Sequence, residues 1–182
     1  MKNKVLFILH LPPPVHGAAM VGKYIHDSQK INSQFDCRYI NMALASSLDD
    51  IGKASFRKAI DYFRLVRKIL REAKTFNPDL FYVTPNANGN AFYKDYLIVQ
   101  LLKRKHRPII VHYHNKGVSQ RHNKLFDNLL YKRFFKNLKV ILLAEPLYED
   151  VKKYVRREDV MFCPNGIPDM LNTQPHEHFV SQ

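Results

Sequence analysis

Six short runs of β-favouring apolar residues, at 5–9, 37–42, 80–83, 109–113, 140–143 and 160–163, constrain this chain more than any other feature. Each is too short for a stable helix, and their nearly continuous apolar character fits strands buried on both faces. Between them the apolar period changes to three and four. Val21, Tyr24 and Ile25 follow the first run, and Phe56, Ala59, Ile60, Phe63, Val66, Ile69, Leu70 and Ala73 mark a long helix over 55–76, stopped by Asn77-Pro78-Asp79. Further helical patterns fall at 91–103, 124–135 and 147–155. Strands alternating with helices predict an α/β fold: a doubly wound, Rossmann-like parallel sheet of about six strands with helices on both faces.

A chain of 182 residues that is 46% hydrophobic can bury one full core, so residues 1–168 are expected to form one domain. Residues 169–182 lose all periodicity and read as a linker or disordered tail. The first apolar run is too short for a signal peptide, and no stretch approaches the ~20 apolar residues of a spanning helix. A cytoplasmic protein is expected. Cys37 and Cys163, the only two cysteines, stand far apart in predicted strands and are expected to be buried, inert thiols. The formal charge of +13 implies a polyanionic partner: nucleic acid, an anionic membrane or a phosphorylated substrate.

Parallel sheets of this class place ligands at the carboxyl ends of their strands. The residues found there are His10 to Gly17, Pro85 to Asn90 with Asn86 and Asn88, His112 to Lys116 with Asn115, Glu145, and Asn165-Gly166. Gly17 stands where a helix begins, so backbone N–H groups could face a phosphate there, although neither a Gly-x-Gly-x-x-Gly nor a Gly-Lys-Ser/Thr loop is present. His112 and His114, two apart on a strand, share one side of the sheet. No further ligand pattern accompanies them, so no metal is expected, and a polar contact from His114 to a bound substrate is the preferred reading over a zinc site.

The cations are clustered. Arg57, Lys58, Arg64, Arg67, Lys68, Arg71 and Lys74 share one helix face. Arg121, Lys124, Lys132, Arg133, Lys136 and Lys139 crowd another helix, whose apolar stripe is expected to be Phe126, Leu129, Leu130, Phe134 and Phe135. Two solvated faces are one account. A surface facing anionic lipid, with Lys132, Arg133 and Lys136 on its solvent side, is the other.

Three segments, Leu11-Pro12-Pro13-Pro14-Val15-His16-Gly17-Ala18-Ala19, Val111-His112-Tyr113-His114-Asn115 and Val160-Met161-Phe162-Cys163-Pro164-Asn165-Gly166-Ile167, occur in an order that resembles the N-terminal halves of family-4 glycosyltransferases of the GT-B fold. The resemblance spans nearly the whole chain. It implies that His114 reaches the transferring sugar as the catalytic contact. It also implies that Gly17 belongs to the loop that approaches the donor diphosphate. Among the strand-end residues, His16, Asn165 and Gly166 are expected with it on the donor side, and Asn86, Asn88, Asn115 and Lys116 on the acceptor side. His16 departs from the pattern, because many relatives carry a second glycine there.

The resemblance further implies an acceptor-binding half that transfers a sugar from a nucleotide-sugar donor, a substrate and not a cofactor, only together with a second, donor-binding domain. The expected acceptor is a saccharide or lipid-linked saccharide of surface polysaccharide synthesis, met at the inner face of the cell membrane. Truncation of a longer enzyme is the expectation, since the connecting motif near 160–167 would otherwise lead nowhere. Competing readings are a basic nucleic-acid-binding domain, a hydrolase or metalloenzyme built on the histidine pair, and a non-catalytic interaction module. No RNA-recognition, zinc-finger or helix-turn-helix signature supports nucleic acid as partner.

Overall fold

The computed structural model describes residues 1–42 and 54–166, with the side chains of 54–56 set aside. Among the described residues, six strands form one all-parallel sheet in the order β2-β1-β3-β4-β5-β6: β1 Lys4–Leu9, β2 Asp36–Asn41, β3 Leu80–Val83, β4 Ile109–His112, β5 Lys139–Leu142 and β6 Val160–Phe162. Helices α1 Gly17–Asp27 and α2 Gln29–Gln34 link β1 to β2, and α3 Ala54–Thr75 precedes β3. The later crossovers carry α4 Gly89–Lys103, α5 Leu125–Phe135 and α6 Tyr148–Val151, the last after a 3-10 turn over Glu145–Leu147. The expected doubly wound, Rossmann-like class is the observed one.

The distribution of helices follows from handedness. Parallel crossovers are right-handed, so connections running in opposite directions along a sheet lie on opposite faces. Only β1 to β2 runs one way. Its helices pack on Val5, Phe7 and Leu9, together with Ile25, Ile31 and Tyr82. All later connections run the other way and cover Leu6, Ile8, Phe81, Val83, Val111 and Val140 with the large core from α3, α4, α5 and α6. On the α1 side, Ile110 and Ile141 are therefore only half-buried and Met161 is 48% exposed.

After α1, Ser28 Oγ accepts from the Ile31 N–H and starts α2, a helix that the periodicity did not mark. The marked helices also depart from it. The stretch over 147–155 is helical only to Val151, because the chain tightens through Val155 and the Tyr148 hydroxyl donates to the Val155 carbonyl at 3.1 Å. Phe63, Phe126 and Leu129, assigned above to apolar stripes, are 66%, 65% and 46% exposed. In α5 the inward face is instead Asp127, Leu130, Tyr131, Phe134 and Phe135.

The seating of α1 on the sheet depends on Gly22. A Cβ there would stand 2.1 Å from the carbonyl oxygen of His10, a backbone atom that cannot swing away. Gly17, at the start of the same helix, has nothing within 4 Å of the corresponding point. Gly22→Ala is expected to destabilise the fold by about 1–3 kcal/mol, the usual cost of overpacking, whereas Gly17→Ala is expected to be neutral or slightly stabilising. Urea unfolding of the two variants checks this, and equal midpoints would show that α1 does not bear on the first loop.

Candidate functional site

At the carboxyl end of the sheet, four histidines meet: His10 just after β1, His16 at the start of α1, and His112 and His114 at and beyond the end of β4. The first loop is fixed by two side chains from neighbouring strand ends, since His10 N–H donates to Thr84 Oγ1 at 3.2 Å and Leu11 N–H to Asn41 Oδ1 at 3.0 Å. His16 is the N-cap of α1, where its Nδ1 accepts from the Ala19 N–H at 3.3 Å. The His16 side chain thereby satisfies an amide that the helix leaves unpaired. Rings of His10 and His16 lie 5.9 Å apart, and those of His112 and His114 lie 4.1 Å apart.

His112 is 3% exposed, and its Nδ1 is hydrogen bonded to the Tyr82 hydroxyl at 2.5 Å. Its Nε2, and both ring nitrogens of His114, are buried without a protein partner. Burial, then the neighbouring His114, pushes His112 down to about 3. Burial, then His10 and His16, pushes His114 down to about 4. His10 is also lowered, by burial first and then by His16 and Lys94. Near neutral pH His112 and His114 are thus uncharged. An imidazole of this kind is a weak proton acceptor, but it keeps a full capacity to donate or accept a hydrogen bond.

A groove of about 590 Å³ shares His112 with this cluster and is lined by Val21, Tyr24 and Ile31 from the helical side and by Phe7 and Tyr82, neighbours on β1 and β3. Cys163, Asn165 and Gly166, after β6, line it as well. Cys163 is exposed and Cys37 half-buried, so the expectation of two buried thiols is corrected. The cause is position: Cys163 follows the edge strand β6 on the sparsely covered face.

A second loop pair completes the rim. Asn86 gives its N–H and Nδ2–H to the Asp95 carboxylate at 2.8 and 2.9 Å, and Asn115 Oδ1 accepts from the Ala87 N–H at 3.1 Å. Asn88 is the N-cap residue of α4 and lies so close to Gly117 that a Cβ there would meet Asn88 Nδ2 at 1.9 Å. Gly117 also has φ of +142°, a region that other residues rarely enter. Its loop is held by Asp150, which accepts from the N–H groups of Gly117, Val118 and Ser119 and from the Ser119 hydroxyl. Asn86 and Asn115 thus already hold the loops in place, Asn88 makes no side-chain cap hydrogen bond, and Lys116 is exposed.

The structure therefore brings His16, Gly17, His114 and the three asparagines to one rim, with Asn165 and Gly166 lining the groove. Lys132, Arg133 and Lys136 lie elsewhere, exposed on and just past α5 in the opposite helical layer. Tyr82, Asp95 and Asp150 were not singled out from the sequence, and His10 was named only as the first residue of a strand-end loop. Its place immediately after β1, as His112 ends β4, was the usable signal. Among the described residues, no three His, Cys, Asp or Glu side chains are placed to hold a metal ion. No family model matches the chain, and no curated protein matches it.

The buried imidazoles set a pH dependence whose sign can be worked out. Their folded pKa values lie below the ~6.5 of a free histidine, so the unfolded chain binds more protons between that value and about 4. Stability is fully present above ~6.5 and is lost as pH falls toward 4. Asp95, raised to about 6 chiefly by burial, acts in the opposite direction and returns part of the loss. A net decrease of roughly 2 kcal/mol between pH 7 and 5 is expected. His114→Gln should flatten the curve in urea melts, and an unchanged slope would mean that His114 is protonated as readily in the folded protein as in the unfolded one.

Proposed function

We propose that the chain is the acceptor-binding half of a glycosyltransferase, moving a sugar from a nucleotide-sugar donor to a saccharide or lipid-linked saccharide. What supports this reading is that three motifs far apart in sequence, at 11–19, 111–115 and 160–167, follow or end parallel strands at the same end of the sheet. The part of the last motif beyond Gly166 lies outside the described residues. A doubly wound sheet offers its ligands that end.

In this reading His114 serves as a neutral hydrogen-bonding group and not as a general base, because a pKa of about 4 leaves little driving force for taking a proton at pH 7. Its two unpartnered nitrogens suit sugar hydroxyls, each of which both donates and accepts. The open space over Gly17 admits close approach of a diphosphate to the first amides of α1. Donor contacts fall to His16, Gly17, Asn165 and Gly166, and acceptor contacts to Asn86, Asn88, Asn115 and Lys116. Transfer itself requires a second domain to grip the nucleotide. The acceptor would be met at the inner face of the cell membrane, with Lys132, Arg133 and Lys136 toward anionic lipid.

Among the described residues, no helix is long and apolar enough to cross a membrane. Titration of this chain with saccharides and nucleotide sugars, followed by amide NMR, tests the assignment. Shifts are expected at the rim, with weak nucleotide-sugar binding and no transfer. His114→Ala is expected to weaken saccharide binding about tenfold, the loss of one or two hydrogen bonds, with little change in stability at pH 7. Saccharide shifts confined to other surfaces, or full transfer by this chain alone, would overturn the proposal.

A further inference from the structure

The outer stripe of α5 is divided along its length. Leu125, Phe126 and Leu129 come first, at 88%, 65% and 46% exposure, and Lys132, Arg133 and Lys136 follow on the same side of the helix. At 100° per residue these six positions fall within about a third of the helix circumference. An apolar first turn followed by cations is not what a merely solvated face requires. Leucine and phenylalanine exposed side by side carry a cost in water that scattered lysines do not.

Local chemistry holds this turn outward. Asp127, between Phe126 and Asn128, is 2% exposed and accepts from the Tyr93 hydroxyl at 2.7 Å and from Arg121 Nε at 2.8 Å. Arg121 also donates to the Tyr93 oxygen at 3.2 Å. With Asp127 anchored inward, its neighbours Leu125 and Phe126 must face away from the core. Tyr93 of α4 supports the Phe126 ring, with centroids 6.2 Å apart. On α3, which packs against the other side of α4, Phe63 is 66% exposed as well, and Arg64, Arg67 and Lys68 follow it in sequence.

We propose that Leu125, Phe126 and Leu129 form a wedge that enters the headgroup and upper acyl region of an anionic membrane, while Lys132, Arg133 and Lys136 pair with lipid headgroups. The inference rests on the membrane part of the reading above and not on sugar transfer. Charge decides between occupants. A second copy would bring two +13 chains together at their basic helices, whereas an anionic leaflet attracts every one of those cations. An acidic protein could meet the cations, but the hydrocarbon of lipid is what three adjoining exposed apolar side chains match best. Amphipathic stretches with Leu and Phe on one side and Lys or Arg beside them bind membranes through both forces together.

The chain contains no tryptophan, so Phe126→Trp installs a single reporter. On vesicles of phosphatidylcholine and phosphatidylglycerol, the indole of that variant is expected to shift its emission to the blue and to be quenched by lipids brominated on the acyl chain. Tyr24→Trp, in the opposite helical layer, is expected to show neither. The double variant Leu125→Ser, Phe126→Ser changes only exposed positions and should fold normally by circular dichroism. Its affinity for the same vesicles is expected to be about tenfold weaker, from the loss of two inserted side chains. Binding with the Phe126→Trp indole still in water, or a double variant that binds as the parent does, overturns the wedge and leaves a purely electrostatic contact. Absence of binding to anionic vesicles overturns the membrane reading as well, and co-sedimentation of two copies in place of lipid binding would assign the stripe to self-association. None of these results bears on saccharide binding at the rim.

Discussion

Strand β1 is the constraint on which the rest of the molecule depends. Leu6, Ile8 and Leu9 are fully buried and Val5 and Phe7 nearly so, because β1 has a strand on either side and helices on both faces. Its side chains alternate between the two cores, with Leu6 and Ile8 in one and Val5, Phe7 and Leu9 in the other. The strand order reverses beside it: β2 lies on one side and β3 on the other. At such a switch point the loops leaving adjacent strands turn to opposite faces and leave a crevice between them. The His10 loop stands at that crevice, which is why His10 N–H finds Thr84 at the end of β3 and Leu11 N–H finds Asn41 at the end of β2.

The rim is electrically unlike the rest of the chain. Cations dominate the outer faces of α3 and α5, yet the buried groups at the crevice are imidazoles held neutral. Two unit charges 4 Å apart repel by about 4 kcal/mol at an effective dielectric constant of 20. With ring centroids 4.1 Å apart, His112 and His114 cannot both be charged at ordinary pH, and burial disfavours charging even one. The charge felt at the crevice comes from its edge, where Lys94 acts on His10 and Lys116 is exposed, and not from the imidazoles themselves.

Much of the fold was legible because each strand is short, apolar and separated from the next by a helical period. What escaped is of one physical kind. Asp95, Asp127 and Asp150 are carboxylates that hold loops, and Asp127 and Asp150 find partners 34 and 33 residues away in sequence. A single sequence gives no sign of such pairings, since a carboxylate among apolar residues reads as a solvent-facing position. The same blindness misplaced Phe126 and Leu129. Their spacing with Leu130 and Phe134 fits a core stripe, and only the inward anchoring of Asp127 turns the helix so that they face out. The candidate site was partly legible: strand ends named the rim, but not that Asn86 and Asn115 commit polar atoms to Asp95 and Ala87.

Those carboxylates also tie the two surfaces together. The loop that leaves His114 passes Asn115 and Gly117, where Asp150 holds it, and ends at Arg121 and Lys124, where Asp127 holds Arg121. One segment, fixed at both ends, thus positions an imidazole at the crevice and the first turn of α5 on the outer surface. Tyr93 connects the same two places through α4, since its hydroxyl reaches Asp127 while α4 begins just after Asn88. The anchors are charge-assisted, Asp127 buried and Asp150 half-buried, so moving either end breaks several hydrogen bonds at once. The position of the crevice relative to the outer face of α5 is thus set by hydrogen bonds between residues 33 and 34 positions apart, and those bonds, more than the chain between them, join the two surfaces.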